Sequence, residues 1–171
     1  MAVPEMKHCM QCGTELKMKY HEGEGREIPY CETCADYRFP VFNTAVSMVV
    51  TNEAEDRILL IKQYGRDSYI LVAGYINKGE EAEHAVVREV AEEMNLHVKT
   101  VRFNHSHYYP RSNTLMLNFT AIVDSMNVHE NSEIDSYRWF SREEAARNVS
   151  RPSLAGDFLD GYLTGEYHFT D

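Results

Sequence analysis

Two groups of residues in this chain have types and spacings that could do chemistry. The first is a pair of identical units, Cys9-x-x-Cys12 and Cys31-x-x-Cys34, with eighteen residues between them. Two residues between cysteines let both sulfurs of a turn face one ion. Two such knuckles supply the tetrahedral thiolate set that zinc favours. A segment of about 35 residues cannot build its own core, so a metal would hold it together. Two disulfides, or one redox-active pair, are the alternatives. Disulfides need an oxidising compartment, and a redox pair needs a strand-to-helix turn. His8 and His21 stand beside a set already complete and are left out of it.

The second group is acidic. Take Glu81 to Asn95 as a helix. Val86, Val87, Val90 and Met94 then make one apolar stripe. Glu89, Glu92 and Glu93 cluster about 120–150° around from it, with Arg88 four residues before Glu92. A solvated acidic face with an Arg88–Glu92 ion pair is one reading. Crowded like charges, however, cost a few tenths of a kcal/mol per pair. A hard divalent cation reverses the sign of that cost. Magnesium and manganese take carboxylate oxygens and keep waters that phosphates can replace.

The elements that must position these groups follow from pattern. The chain has 171 residues, 43% apolar and 26% charged, which suits one domain of ordinary size or one domain with a small appendage. The composition excludes a disordered or collagen-like chain. The longest apolar run, Ala45 to Val50, is strand-sized, so no membrane helix is expected. Residues 1–5 have no leader pattern, and a cytoplasmic protein is expected. The net charge of −10 disfavours general nucleic-acid binding. It still permits a phosphorylated substrate if a divalent cation lies between.

Residues 35–44 read as a connector. Strands are expected at Ala45 to Thr51, Arg57 to Gln63, Tyr69 to Ala73 (ended by Gly74), Val98 to Ser106, Leu115 to Val123 and Ile134 to Phe140. Ser141 opens a short helix with Glu144 as its capping-box partner, and Ser153 caps a last helix through Leu163. Strands with helices between and after them point to an α/β or α+β sandwich.

The acidic helix resembles a known family. Gly74, then five residues, Glu80, then seven, then Arg88-Glu89-Val90-Ala91-Glu92-Glu93-Met94-Asn95-Leu96 is similar to the Nudix box, G-x5-E-x7-R-E-U-x-E-E-x-G-U, with U aliphatic. Six of its seven fixed letters are present, and Val90 and Leu96 fill both U positions. Asn95 replaces the last glycine, just past the helix end. The backbone there is often left-handed, and Asn is the next-best residue. The resemblance implies that Glu89, Glu92, Glu93 and the Gly74 carbonyl bind magnesium or manganese, with Glu80 as an outer member. It implies that Arg88 orients the acids and that Glu89 is a candidate to activate water. The implied reaction is hydrolysis of a nucleoside diphosphate linked to some other group.

A four-cysteine ribbon placed before a Nudix domain resembles the NADH pyrophosphatase branch. That branch carries S-Q-P-W-P-F-P-x-S after the box. Here Ser106-His107-Tyr108-Tyr109-Pro110-Arg111-Ser112 occupies the stretch, without the glutamine and the central tryptophan. Glu133-Ile134 with Trp139-Phe140 is similar to the branch's E-I-x4-W-F, whose glutamate is a late metal ligand or acid/base; a plain surface acid is the other reading. Ser153 and Ala155 match a motif near the nucleotide, while Ser153 could equally be only a cap. Phe39, Tyr108 and Tyr109 could stack on a base, or serve in core or interface.

The resemblance therefore implies a zinc ribbon over residues 1–40 and a Nudix α/β/α sandwich with a mixed sheet over residues 41–171. The expected activity is cleavage of NADH or NAD first, then ADP-ribose or FAD, to two monophosphates. A homodimer is implied by the branch alone. Two further readings belong to other classes. One is a Nudix-fold sensor that binds an ADP-ribose-type ligand without cutting it. The other is a nucleic-acid adaptor led by the ribbon, which would need a basic face.

Overall fold

The computed structural model describes residues 6–170, so the reading of residues 1–5 as lacking a leader lies outside the described residues. The chain divides into two compact units. One runs to Asn43 and takes in Pro110–Asn113; the other comprises Thr44–Tyr109 and the chain from Thr114 onward.

The first unit is a small antiparallel sheet of β1 (Lys17–His21), β2 (Arg26–Cys31) and β3 (Asp36–Tyr37). β3 lies inside the stretch expected to be a plain connector. Its pairing of Tyr37 with Tyr30 brings the two rings edge to face at 4.9 Å, a tertiary contact with no local signal. Cys9, Ile28 and Cys31 are its buried apolar residues, too few for a core that stands alone.

The second unit is an α/β/α sandwich. Its six-stranded mixed sheet runs β7 (Val98–Tyr109), β8 (Thr114–Val123), β4 (Asn43–Thr51), β5 (Arg57–Gln63), β9 (Ile134–Ser141), with β6 (Val72–Tyr75) also paired to β4. Strand alternation splits the apolar run of β5 between two cores. Leu59 and Ile61 join Val46, Met48 and Val50 under α1 (Ala82–Met94), which contributes Ala85, Val86, Val90 and Met94; Val87, expected in the same stripe, is exposed, because one helix step of about 100° turns it away from Val86. Ile58 and Leu60 face the other way. There they pack with Ala145 of α2 (Arg142–Asn148) and with Phe158 and Leu159 of α3 (Leu154–Thr164). Among the described residues no helix is long and apolar enough to cross a membrane.

Several strand boundaries differ from expectation. β6 starts at Val72, because Tyr69 and Ile70 make only single bridges, to Val149 and Ile61. Gly74 does not end this strand but lies within it, opposite Val46. β7 and β8 extend to Tyr109 and from Thr114, leaving only a short turn between them, with Asn113 left-handed at φ 51°.

The helix ends behave as their residues dictate. Ser141 and Glu144 form the reciprocal capping box of α2. Asn95 takes the left-handed position after α1 at φ 51° and donates its N–H to Ala91 O at 2.9 Å. The last carbonyls of α1 are satisfied from outside the helix. His129 N donates to Met94 O at 3.0 Å and Asn131 N to Glu93 O at 2.9 Å. These bonds lash the connection that carries Glu133 to the C-terminal end of α1.

Candidate active site

Arg88 organises the acidic face of α1. Its Nε and Nη2 donate to the two carboxylate oxygens of Glu80 at 2.7 and 3.0 Å, the bidentate fork of a guanidinium on a carboxylate. Nη1 donates to Glu89 Oε1 at 2.7 Å and to Glu92 Oε2 at 3.0 Å, and Nη2 also reaches Tyr75 O at 3.0 Å. The expected Arg88–Glu92 pair is thus one part of a larger clamp. Arg88 and the Asn77 amide hold Glu80 well below the usual carboxylate range, at about 2.

The acids differ sharply in environment. Glu92 is open to water, with 59% of its side chain exposed, whereas Glu89 retains 13%. Glu93 is buried at 4% and accepts a hydrogen bond from Gln63 Nε2 at 3.3 Å. Burial, with the charges of Glu89, Glu133 and Glu92, pushes its carboxyl up to about 7. The bonds of His129 and Asn131 bring the connection that carries Glu133 to the same end of α1. Gly74 explains how β6 can approach α1. A Cβ there would lie 2.0 Å from Glu89 Cδ and Oε1, so only glycine leaves room for this carboxylate over the strand. A buried carboxylate among other acids, and a second carboxylate over a backbone cleared of side chain, suit a hard divalent cation. The acids do not yet converge on one point. Among the described residues, only the cysteine set brings three or more ligand atoms all within 4.8 Å of one another.

That cysteine set lies in the first unit. Cys9 Sγ stands 3.9 Å from Cys34 Sγ, Cys12 Sγ stands 3.5 Å from Cys31 Sγ, and all four cysteines are free thiols. A tetrahedron with metal–sulfur bonds of about 2.3 Å has sulfurs about 3.8 Å apart, so the donors fit a thiolate metal centre without rearrangement. Neither disulfide chemistry nor a strand-to-helix redox turn describes these knuckles. Burial raises the Cys9 thiol, but Arg38 and the amides of Gln11 and Cys12 outweigh it and bring it down to about 6. Cys34, crowded by the Cys12 sulfur and by burial, is pushed up to about 12. Ionising all four this close together would need a cation among them.

Several residues of these sites escaped the sequence. Arg38 is buried and donates from Nε to Cys9 Sγ at 3.2 Å, while its Nη1 pairs with Asp36 Oδ2 at 2.6 Å. Gln63 is the polar end of an apolar strand, which in retrospect is its signal. The other expected substrate residues are placed individually. Phe39 is about half exposed. Tyr109 ends β7 and is partly buried. Ser153 caps α3, with Oγ accepting from Gly156 N at 3.0 Å and donating to Ser150 O at 2.6 Å. Ala155, in the first turn of α3, is partly buried against the core cluster beneath that helix, on the opposite face of the sheet from α1.

The NUDIX domain model matches residues 41–158. This chain belongs to the Nudix family. The Nudix chain is 28% identical over 158 residues to a protein of Pseudomonas aeruginosa (strain LESB58) named NAD-capped RNA hydrolase NudC, covering 92% of this chain and 55% of that one. It is 31% identical over 141 residues to the NAD-capped RNA hydrolase NudC of Photorhabdus laumondii subsp. laumondii, covering 81% of this chain and 52% of that one. It therefore spans about half the length of these relatives. A Nudix hydrolase structure from Nitrosomonas europaea superposes with a TM-score of 0.65 at 22% identity, over 96% of this chain and 97% of that one. That likeness is one of fold.

Proposed function

We propose that this Nudix protein hydrolyses a nucleoside diphosphate linked to another group, with NADH or NAD as first substrate and ADP-ribose or FAD next, yielding two monophosphates. The observation that carries the reading is the Arg88 clamp on Glu80, Glu89 and Glu92 with Glu93 buried beside it. The names of the NudC relatives support an NAD-containing substrate. The net charge of −10 favours a free dinucleotide over one attached to RNA. Residues 1–40 would be a zinc ribbon and residues 41–171 the catalytic domain.

Glu89, Glu92, Glu93 and the Gly74 carbonyl would hold magnesium or manganese, with Glu80 and Glu133 outside them. Such ions, when bound, cancel diphosphate charge, acidify water and stabilise the leaving oxygen. Arg88 fixes Glu89 through Oε1, leaving Oε2 to accept a proton from the attacking water. The water oxygen forms the new bond to phosphorus. The anhydride P–O bond breaks, and its electron pair leaves with the second phosphate. Glu80, held ionised by Arg88, keeps the guanidinium from swinging away.

The test is a panel of NADH, NAD, ADP-ribose, FAD, diadenosine polyphosphates and nucleoside triphosphates with magnesium or manganese, products being separated by chromatography. Cleavage of NADH or NAD to two monophosphates, lost in Glu92→Gln and Glu93→Gln, is the expected result. Cleavage of another member alone would discard the NADH assignment. Binding of ADP-ribose with no cleavage of any member would replace the hydrolase with a sensor.

A further inference from the structure

The turn after β5 contains a feature that the hydrolytic machinery above does not use. Tyr64 has φ +57°, in the left-handed region, which is a strained setting for a bulky side chain. Among the described residues, the other non-glycine positions with positive φ are Ala35, Glu55, Asn95 and Asn113, none of them aromatic. The fold gains little from the ring, which is 72% exposed. One neighbour is nevertheless tied to the carboxylate site and the other to the start of β9, just after Glu133. Gln63 is buried and donates to Glu93 Oε2 at 3.3 Å, and Gly65 N donates to Asp135 Oδ2 at 2.6 Å, two residues beyond Glu133. Burial, then the charges of Glu133, Glu93 and Glu89, hold the phenol above its ordinary value. A phenol is protonated at neutral pH even without that shift and can donate.

We propose that Tyr64 is a substrate-contacting residue at the mouth of the carboxylate site, its hydroxyl donating a hydrogen bond to a phosphate oxygen of the bound diphosphate. A lysine or arginine at this place would pair with the glutamates and compete with a cation for them. A neutral donor reaches the phosphate without taking a carboxylate. The inference rests on the hydrolase reading.

The experiment measures KM, kcat and Tm for wild type, Tyr64→Phe and Tyr64→Gly, using whichever of NADH, NAD, ADP-ribose or FAD the wild type cleaves fastest with magnesium. Both variants are expected to raise KM about ten-fold, the worth of one hydrogen bond to a charged group, while kcat changes far less. Tyr64→Gly, freed of the left-handed strain, is expected to melt no lower than wild type. A Tyr64→Phe enzyme with the wild-type KM overturns the inference and leaves the hydrolase standing. So does a Tyr64→Gly enzyme that melts several degrees lower, which would assign the residue to the fold. If the wild type cleaves none of the four, the hydrolase reading itself fails and takes this inference with it.

Discussion

The cysteine cluster and the carboxylate cluster would each hold a divalent cation, and they are prepared for it in opposite ways. In the first, sulfurs from two knuckles already stand 3.5 and 3.9 Å apart across the pairs. In the second, three acids point at an arginine rather than at one another. Thiolates with a matched tetrahedron make a closed centre that has no position left for a reactant. Carboxylates whose charge is balanced by a guanidinium can stay folded without a metal and leave room for water and phosphate. The guanidinium beside the cysteines follows the same division. Arg38 is buried and touches one sulfur, whereas Arg88 gathers three carboxylates.

Removing metal should separate the two sites most strongly. A structural zinc, if bound, would contribute on the order of 10 kcal/mol to a small thiolate domain, which exceeds anything the three apolar residues buried in the described part of the first unit can supply. Treatment with a strong chelator, or Cys31→Ser, is expected to abolish amide protection throughout β1–β3. The sandwich should keep its protection, since neither of its core clusters includes a cysteine. Hydrogen exchange measured residue by residue checks this. A ribbon that stays protected after one equivalent of zinc has been stripped would break the comparison at its stronger end.

A smaller effect is expected where the carboxylates meet the strand. The Cβ of Gly74→Ala would sit 2.0 Å from the Glu89 carboxyl carbon. Glu89 ends in a flexible side chain, so the clash is relieved by moving the carboxylate rather than the backbone. Displacing a reacting group by about 1 Å costs about 100-fold in rate, while the fold should lose no more than about 1 kcal/mol, or 2–4 °C in Tm. Steady-state kinetics beside a melting curve would show the split. A variant with wild-type rates would remove Glu89 from the site.

How much of this was readable beforehand depends on the range of each signal. The apolar stripe of α1, the capping box at Ser141 and the left-handed Asn95 are local, and their residue types announce them. The cysteine spacing is also local within each knuckle, and it pointed correctly to a clustered set. What stayed hidden is tertiary. β3 forms because Tyr37 meets Tyr30 across the sheet. β6 starts late because its register with β4 begins at Met48↔Val72. Gly74 reads as a strand terminator until Glu89 is seen beside it. The difference in exposure between Glu92 and Glu93, adjacent in sequence, comes from a helix rotation of about 100° that turns one to water and the other to Gln63. Tyr64 has the composition of a strand residue and the backbone of a turn.

The most specific effect concerns the charge on Glu93 itself. Its ordinary value of 4.5 is raised to about 7 in the fold. Between those values the folded chain holds a proton that the unfolded chain has released. Stability of the metal-free protein should therefore fall as pH rises from 4.5 to 7, by on the order of 2–3 kcal/mol, and then level off. Glu80 has the opposite sign. Its carboxyl is held at about 2, so its contribution is complete above its ordinary value and is lost only as pH drops through that range. Glu93→Gln cancels the first dependence and leaves the second. In denaturant titrations without metal, the variant should match wild type near pH 4.5 and exceed it at pH 8. Adding magnesium at pH 8 should stabilise wild type more than the variant, because only wild type has a buried charge for the cation to neutralise. Coincident curves at every pH would mean that Glu93 bears no cost when ionised. The carboxylate site would then need no cation to settle it, and its contrast with the crowded thiolates would rest on geometry alone.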